Sequence, residues 1–341
     1  MHILFIINSL KQKSGSERVA IELANQISLI KGFNITIINR ESIKNDTAYP
    51  LNSSIQLIAC KGNILSFFKQ LHQHLMINDY DVTVVHNMGK LALMCSFLKT
   101  KKLITLEHVA FNSRPKSVQF ASKLLYSNYQ KVITLTRSDQ EIFENIHNNV
   151  MTIPNFSSFP IQPTQNNNKE IIAVGRLTDQ KNFTHLLNAW ELIQKKIPEW
   201  QLHIYGEGAE KQQLQNYINT HKLINVTLKG ETSSINDVYS NAAFFVMSSK
   251  YEGLPMVLIE AQSFGLPIVS YNCPFGPSDI ISDDKNGYLV EDQNPNKLGD
   301  AILKLATSPD LLNNFSKQAL INAEKYQPTK IINTWINEVF N

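Results

Sequence analysis

Two glutamates eight positions apart, Glu252 and Glu260, bracket the segment Gly253-Leu254-Pro255-Met256-Val257-Leu258-Ile259. Gly253 lets a backbone come close to a ligand. Pro255 suits the first turn of a helix, where its missing N–H is no loss. The pattern predicts a helix that runs to about residue 264 and stops at Gly265-Leu266-Pro267. The N–H groups exposed at its start favour an anion. Glu252 then sits in the loop before the helix and Glu260 two turns inside it, so the two carboxylates can meet two parts of one extended ligand. Glu260 is flanked by Leu258, Ile259 and Ala261, which predicts a partly closed surrounding. An unpaired carboxylate there is costly, so it needs a hydroxyl or a cation. A blander alternative for Glu252 is an acidic residue that complements the helix dipole.

A second cluster reads Val174-Gly175-Arg176-Leu177-Thr178-Asp179-Gln180-Lys181-Asn182. An apolar strand ends in Gly-Arg and a helix begins near Phe183. A forked guanidinium with an ammonium nearby suits a diphosphate, with surface salt bridging as the alternative. Ser14-Gly15-Ser16 is a small-residue loop before a helix, weaker alone but also suited to a phosphate or sugar oxygen. The full Gly-x-Gly-x-x-Gly fingerprint is absent, and Gly206-Glu207-Gly208 reads as a tight turn. Asp79-Tyr80-Asp81 imitates an Asp-x-Asp metal motif but reads as a polar entry to a strand, so no metal is expected.

These residues need a scaffold, and short β-rich runs alternate with helical patterns from end to end. Strands are predicted at 3–8, 35–39, 55–59, 82–86, 103–107, 132–136 and 151–153. Further strands are predicted at 171–174, 202–205, 226–228, 244–247, 268–270 and 288–290. Most are continuous apolar runs, the mark of parallel strands buried on both faces. Between them, 17–30 places Ala20, Leu23, Ala24, Ile27 and Ile30 on one helical face. The class is α/β, with two Rossmann-like doubly wound domains expected to face each other across a cleft. The Pro- and Asn-rich stretch 154–169 reads as the linker. Domain bounds are set at 1–160, 161–325 and 326–341, the last a C-terminal helix able to cross back to the first domain.

A length of 341 residues also favours two domains. Three scattered cysteines, Cys60, Cys95 and Cys273, form no metal pattern and cannot pair fully, which points to a reducing, cytoplasmic setting. The apolar opening stretch reads as a buried strand and not a signal peptide. Residues 1–168 carry 17 Lys and Arg against 10 Asp and Glu, and the remainder 15 against 19. A basic first half suggests an anionic partner: a phosphate-bearing acceptor, an anionic membrane surface or nucleic acid. No reading motif supports nucleic acid, so none is expected as a partner.

The combination of GSERVAIELAN, IPNF, VGRLTDQKNFTHLLNAW, IYGEGAEKQQL and SKYEGLPMVLIEAQSFGLPIVSYNCPFGPSDII resembles retaining glycosyltransferase family 4, with the GT-B architecture. The resemblance spans nearly the whole chain and is densest over 171–290. It implies a hexosyltransferase that moves a hexose or N-acetylhexosamine from a nucleotide sugar, UDP-linked, to a glycan acceptor in surface-polysaccharide synthesis. Arg176 and Lys181 would hold the donor diphosphate and Glu260 the ribose. Glu252 would meet the sugar, assisted by the segment Gly253, Leu254, Pro255 and Met256, whose backbone N–H groups (Pro255 has none) lie nearby. Gly15 would approach the phosphates from the other domain, and His108 matches the family's histidine near the reaction centre. The implied catalytic set is therefore His108, Arg176, Lys181 and Glu252. No cofactor is implied, the nucleotide sugar being a substrate. The first loop departs from the commoner Gly-Gly-Ala/Thr, and Asp279 stands where relatives often carry Glu.

Lys99, Lys101, Lys102, Arg114, Lys116, Lys123 and Lys131, with Phe111, Phe120, Leu124, Leu125 and Tyr126 among them, suggest an interfacial helix on anionic lipid. This predicts peripheral attachment at the inner face of the cell membrane and a lipid-linked or membrane-associated acceptor, the alternative being a solvated helix face. Two rival functions share the residues: a nucleotide-sugar 2-epimerase on the same architecture, and a non-catalytic nucleotide-sugar-binding protein.

Overall fold

Continuous β-branched runs become strands buried on both faces. In the computed structural model, which describes residues 1–12, 14–43, 46–87, 89–163 and 168–341, the chain forms two units. One comprises Met1–Asn155 with Pro328–Asn341, the other Phe156–Gln327.

The first unit carries β1 (His2–Ile6), β2 (Asn34–Asn39), β3 (Gln56–Ala59), β4 (Val82–Asn87), β5 (Leu103–Glu107), β6 (Lys131–Thr134) and β7 (Val150–Thr152). All pair in parallel in the order β3-β2-β1-β4-β5-β6-β7. Ile3 lies between Ile35 and Val82, so the central strands are apolar to both sides. Helices α1 (Gly15–Ser28), α2 (Ile64–Ile77), α3 (Lys90–Cys95), α4 (Lys116–Leu125) and α5 (Arg137–Glu144) make the crossovers. On α1, Ala20, Leu23, Ala24 and Ile27 are buried as their spacing requires. The helix stops at Ser28, two residues short of the predicted end, and Gly32 follows at φ +94°, a left-handed conformation that favours glycine.

The second unit carries β8 (Glu170–Val174), β9 (Gln201–Tyr205), β10 (Val226–Gly230), β11 (Phe244–Met247), β12 (Ile268–Tyr271) and β13 (Gly287–Val290). They are parallel in the order β10-β9-β8-β11-β12-β13. Its helices are α6 (Phe183–Ile193), α7 (Lys211–Thr220), α8 (Ile235–Asn241), α9 (Met256–Ser263), α10 (Pro277–Ile280), α11 (Pro295–Ala306) and α12 (Pro309–Ala323). Trp190 of α6 is fully buried, and its indole N–H donates to the Ile224 carbonyl at 2.8 Å. That bond offsets the cost of burying the ring's polar edge.

The units divide at 155/156 and 327/328, a few residues from the bounds read in the sequence. Hydrogen bonds explain the offset. Ser157 N donates to Tyr326 O at 2.8 Å and Gln162 N to Ser263 O at 2.8 Å, so the start of the linker is fastened to the second unit. Its residues 164–167 lie outside the described residues. The last stretch, α13 (Pro328–Thr334) and a π-helical turn (Trp335–Phe340), belongs to the first unit. Phe340 packs near Phe33, and Lys102 and Lys131 donate to the carbonyls of Asn341 and Glu338.

Candidate active site

In each sheet the strand order reverses once, between β1 and β4 in the first and between β8 and β11 in the second. Ligands of open α/β sheets bind beyond the carboxyl ends of the strands at such a point. The second unit concentrates its motifs there. Gly175 and Arg176 follow β8, and Ser248 to Glu252 follow β11.

The two loops are stitched together. Ser248 Oγ donates to Lys181 O at 2.9 Å, Lys250 N to Gln180 O at 2.8 Å, and Gln180 Nε2 to Tyr251 O at 3.0 Å; Lys250 also pairs with Asp179. The central contact is an ion pair, Lys181 Nζ to Glu252 Oε1 at 2.6 Å, with 17% and 8% of the two side chains exposed. Two residues assigned by sequence to different parts of a ligand therefore pair with each other. Arg176 is exposed beside them. Ser249 Oγ, next in line, is buried without a partner.

Glycines make the loops possible. A Cβ on Gly206, at φ +133°, would stand 1.9 Å from Gly175 O, and one on Gly208 2.3 Å from Leu177 O. Gly206-Glu207-Gly208 is thus more than a turn: it lets β9 pack its end against the Arg176 loop. A Cβ on Gly276 would likewise meet Gly253 O at 2.0 Å, behind the entry to α9.

Glu260 is buried in α9 and accepts a hydrogen bond from the Tyr239 hydroxyl at 2.9 Å. The hydroxyl partner that its position demanded comes from α8, too far along the chain to be paired with it by spacing. Cys273 is buried near this region, and its thiol pKa is pushed up to about 12 by burial and by the Glu252 and Asp292 charges. It stays a thiol and offers no nucleophile at neutral pH.

Gly15 and His108 lie in the first unit. Gly15 opens α1, exposed, with open space where a Cβ would stand. His108 follows β5, its N–H on Asn87 O at 3.1 Å, and its ring stacks on that of His86 at 5.2 Å. His86 Nδ1 and His108 Nε2 share a 3.1 Å hydrogen bond. Burial pushes the His108 pKa down to about 4, and burial followed by His108 pushes that of His86 well below its usual value. Both rings are neutral at pH 7, so one donates to the other.

The basic segment needs correction. Arg114 is not on a lipid-facing surface: its guanidinium is buried against Glu107, and it donates to Tyr126 Oη at 2.9 Å. Phe111 and Tyr126 are buried with it. Lys101 pairs with Asp79 at 2.6 Å and lies 3.6 Å from Asp81, whose carboxylate accepts the His2 N–H. Carboxylates claim Arg114 and Lys101, the core claims Phe111 and Tyr126, and Lys102 and Lys131 donate to backbone carbonyls. What remains exposed on α4 is Lys116, Phe120, Lys123 and Leu124, spaced on one face. Among the described residues no helix is long and apolar enough to cross a membrane.

Residues 156–321 match the family model of glycosyl transferases group 1. The amylovoran biosynthesis glycosyltransferase AmsD of Erwinia amylovora is 29% identical over 99% of this chain and 99% of its own. The poly(ribitol-phosphate) alpha-N-acetylglucosaminyltransferase of Staphylococcus aureus is 30% identical over 91% of this chain and 62% of its own. Among solved structures, Anabaena HepE in complex with UDP superposes with a TM-score of 0.83 at 16% identity, covering 98% of both chains. The fold is GT-B, two Rossmann-like units each with its own parallel sheet. Together these comparisons support glycosyltransferase activity.

Proposed function

We propose that the protein is a retaining hexosyltransferase that moves a hexose or N-acetylhexosamine from a UDP-sugar to a glycan acceptor in surface-polysaccharide synthesis. The observation that carries this reading is the Lys181–Glu252 pair at the mouth of the second sheet, beside the N-terminus of α9. When a donor enters, Lys181 passes to the diphosphate with Arg176, and Glu252 passes to the hydroxyls of the sugar. The N–H groups at the start of α9 add partial positive charge. Glu260 meets the ribose. Cations preset where negative charge develops supply the main electrostatic stabilisation. The C1–O bond to the diphosphate breaks and the C1–O bond to the acceptor forms on the same face. The leaving phosphate oxygen takes the acceptor proton, so no side chain acts as a dedicated base and no metal is required. The family resemblance also names Gly15 and His108, which lie in the first unit.

Support for the donor comes from HepE, whose structure holds UDP, and support for the polymer from the amylovoran and poly(ribitol-phosphate) relatives. The exposed α4 face, two lysines with Phe120 and Leu124, supports docking at the inner face of the membrane beside a lipid-linked acceptor. A panel of nucleotide sugars in thermal-shift assays tests the donor, because a ligand that binds only the folded state raises the melting point. The expected result is a shift with one UDP-sugar and nucleotide release only when a glycan acceptor is present, unaffected by EDTA. Nucleotide release without acceptor favours epimerisation and contradicts the reading.

A further inference from the structure

The first unit holds a cavity of about 390 Å³ that the donor chemistry does not use. It lies at the carboxyl ends of the strands. Asn8 follows β1, Arg40 follows β2, Lys90 follows β4 and Val109 follows β5, and all four line it. β1 and β4 are the neighbours at which this sheet's order reverses, the counterpart of the switch point in the second unit.

Its charge is one-sided. The described lining contains no carboxylate, and among the described residues neither Arg40 nor Lys90 has an acidic partner. The Arg40 guanidinium is set in orientation: Nη1 donates to Asn8 Oδ1 at 3.0 Å and Nη2 to Gly62 O at 3.4 Å, while Nε is buried with no acceptor. Arg114 also lines the space, but Glu107 neutralises it, so it contributes shape and not charge. Leu91, Val109 and Val118 add an apolar wall. An oriented guanidinium and an ammonium without counter-charge, beside apolar surface, suit a phosphate oxyanion attached to carbon.

We propose that this cavity is a subsite for a phosphate ester carried by the acceptor. Arg40 and Lys90 hold the phosphate oxygens, and the apolar wall takes the adjoining carbon skeleton. That the phosphate ester is an acceptor rests on the glycosyltransferase reading; the anion binding does not. The phosphate could belong to a polyol-phosphate polymer or to a lipid diphosphate, and both present the same group.

Isothermal titration of the full chain with glycerol 3-phosphate, a glycerol phosphodiester and geranyl diphosphate tests this, with glycerol as the uncharged control. Arg40→Gln and Lys90→Gln should each weaken phosphate-ester binding about tenfold, the loss of one charge-assisted contact, and leave UDP binding unchanged. Lys90 is exposed, so Lys90→Gln keeps the test alive if Arg40→Gln fails to fold. Preference for the phosphodiester supports the subsite and assigns a polyol phosphate; preference for geranyl diphosphate supports it and assigns a lipid-linked acceptor. Equal binding by the wild type and Lys90→Gln overturns the subsite. Phosphate-ester binding that is lost in Lys90→Gln, in a protein that never binds UDP, leaves the cavity standing and counts against the donor reading instead.

Discussion

Among the described residues each unit contains a close cation–carboxylate pair with little exposure, and the two pairs are built differently. In the first unit Glu107 and Arg114 are buried almost completely, 0% and 1% exposed. Almost every polar group there is committed, Arg114 Nε being the buried exception. Thr105 Oγ1 and Tyr126 Oη donate to Glu107 Oε1, Asn87 Nδ2 donates to Oε2 at 2.8 Å, and Arg114 Nη2 also reaches Val109 O at 3.1 Å. Burial works against the Arg114 charge, but Glu107 and Tyr126 outweigh it and raise its pKa. In the second unit Lys181 and Glu252 share one hydrogen bond at the rim of two loops. A densely bonded network locks a structure. A pair with a single contact, next to an exposed arginine and a buried unpaired serine hydroxyl, can exchange partners with a ligand. Proximity of opposite charges therefore does not distinguish scaffold from site; the number of further partners does.

The comparison breaks most visibly if Arg114 proves dispensable. Arg114→Ala leaves a carboxylate buried without its cation, a loss of about 3–5 kcal/mol in similar cases. Urea unfolding should show a loss of that size, and a midpoint unchanged from wild type would put the pair in the same class as Lys181–Glu252. Lys181→Ala should act on rate instead. Removing one group aimed at developing charge costs about 100- to 1,000-fold in turnover, or about 2.7–4 kcal/mol. The melting curve should move far less than that of Arg114→Ala. A folded Lys181→Ala protein with full turnover contradicts the exchange of partners.

The histidine pair sharpens the contrast on a smaller scale. The His108 pKa falls to about 4 in the folded protein against 6.5 in the unfolded chain, through burial. The unfolded state therefore binds more protons between pH 6.5 and 4. Stability is full above pH 6.5 and is lost as pH falls through that window, by about 1.4 kcal/mol per pH unit for each such imidazole. His108→Gln should flatten this slope in urea titrations across pH. An unchanged slope would mean that the ring is already charged in the native state.

Much of this was legible in advance. Parallel strands buried on both faces announce themselves as apolar runs, and all thirteen predicted strands are present within a few residues of their ends. The loops after β8 and β11 were visible because Gly, Arg, Lys and Glu interrupt apolar runs there. What escaped was pairing across distance. Lys181 and Glu252 are 71 residues apart, and Tyr239 and Glu260 21 apart. Arg114 looked like one more cation in a basic stretch, because a sequence shows the charge but not the buried Glu107 that claims it. Phe111 and Tyr126 misled for the same reason: an aromatic beside lysines reads alike whether it faces lipid or core. Glu107 and Arg114 are only seven residues apart, and a carboxylate ending a mostly apolar strand is the signal that points to a buried partner.

Transfer by this route requires the Lys181–Glu252 pair to open and receive a diphosphate. Isothermal titration of UDP into the wild type, Lys181→Ala and Glu252→Gln tests this directly. Lys181→Ala should bind at least about tenfold more weakly, having lost a charge-assisted contact. Glu252→Gln should bind as tightly as wild type or more so, since Lys181 is released from its partner, while sugar transfer fails. Equal loss of UDP affinity in both variants, or no loss in Lys181→Ala, would show that the pair is structural and contradict the account.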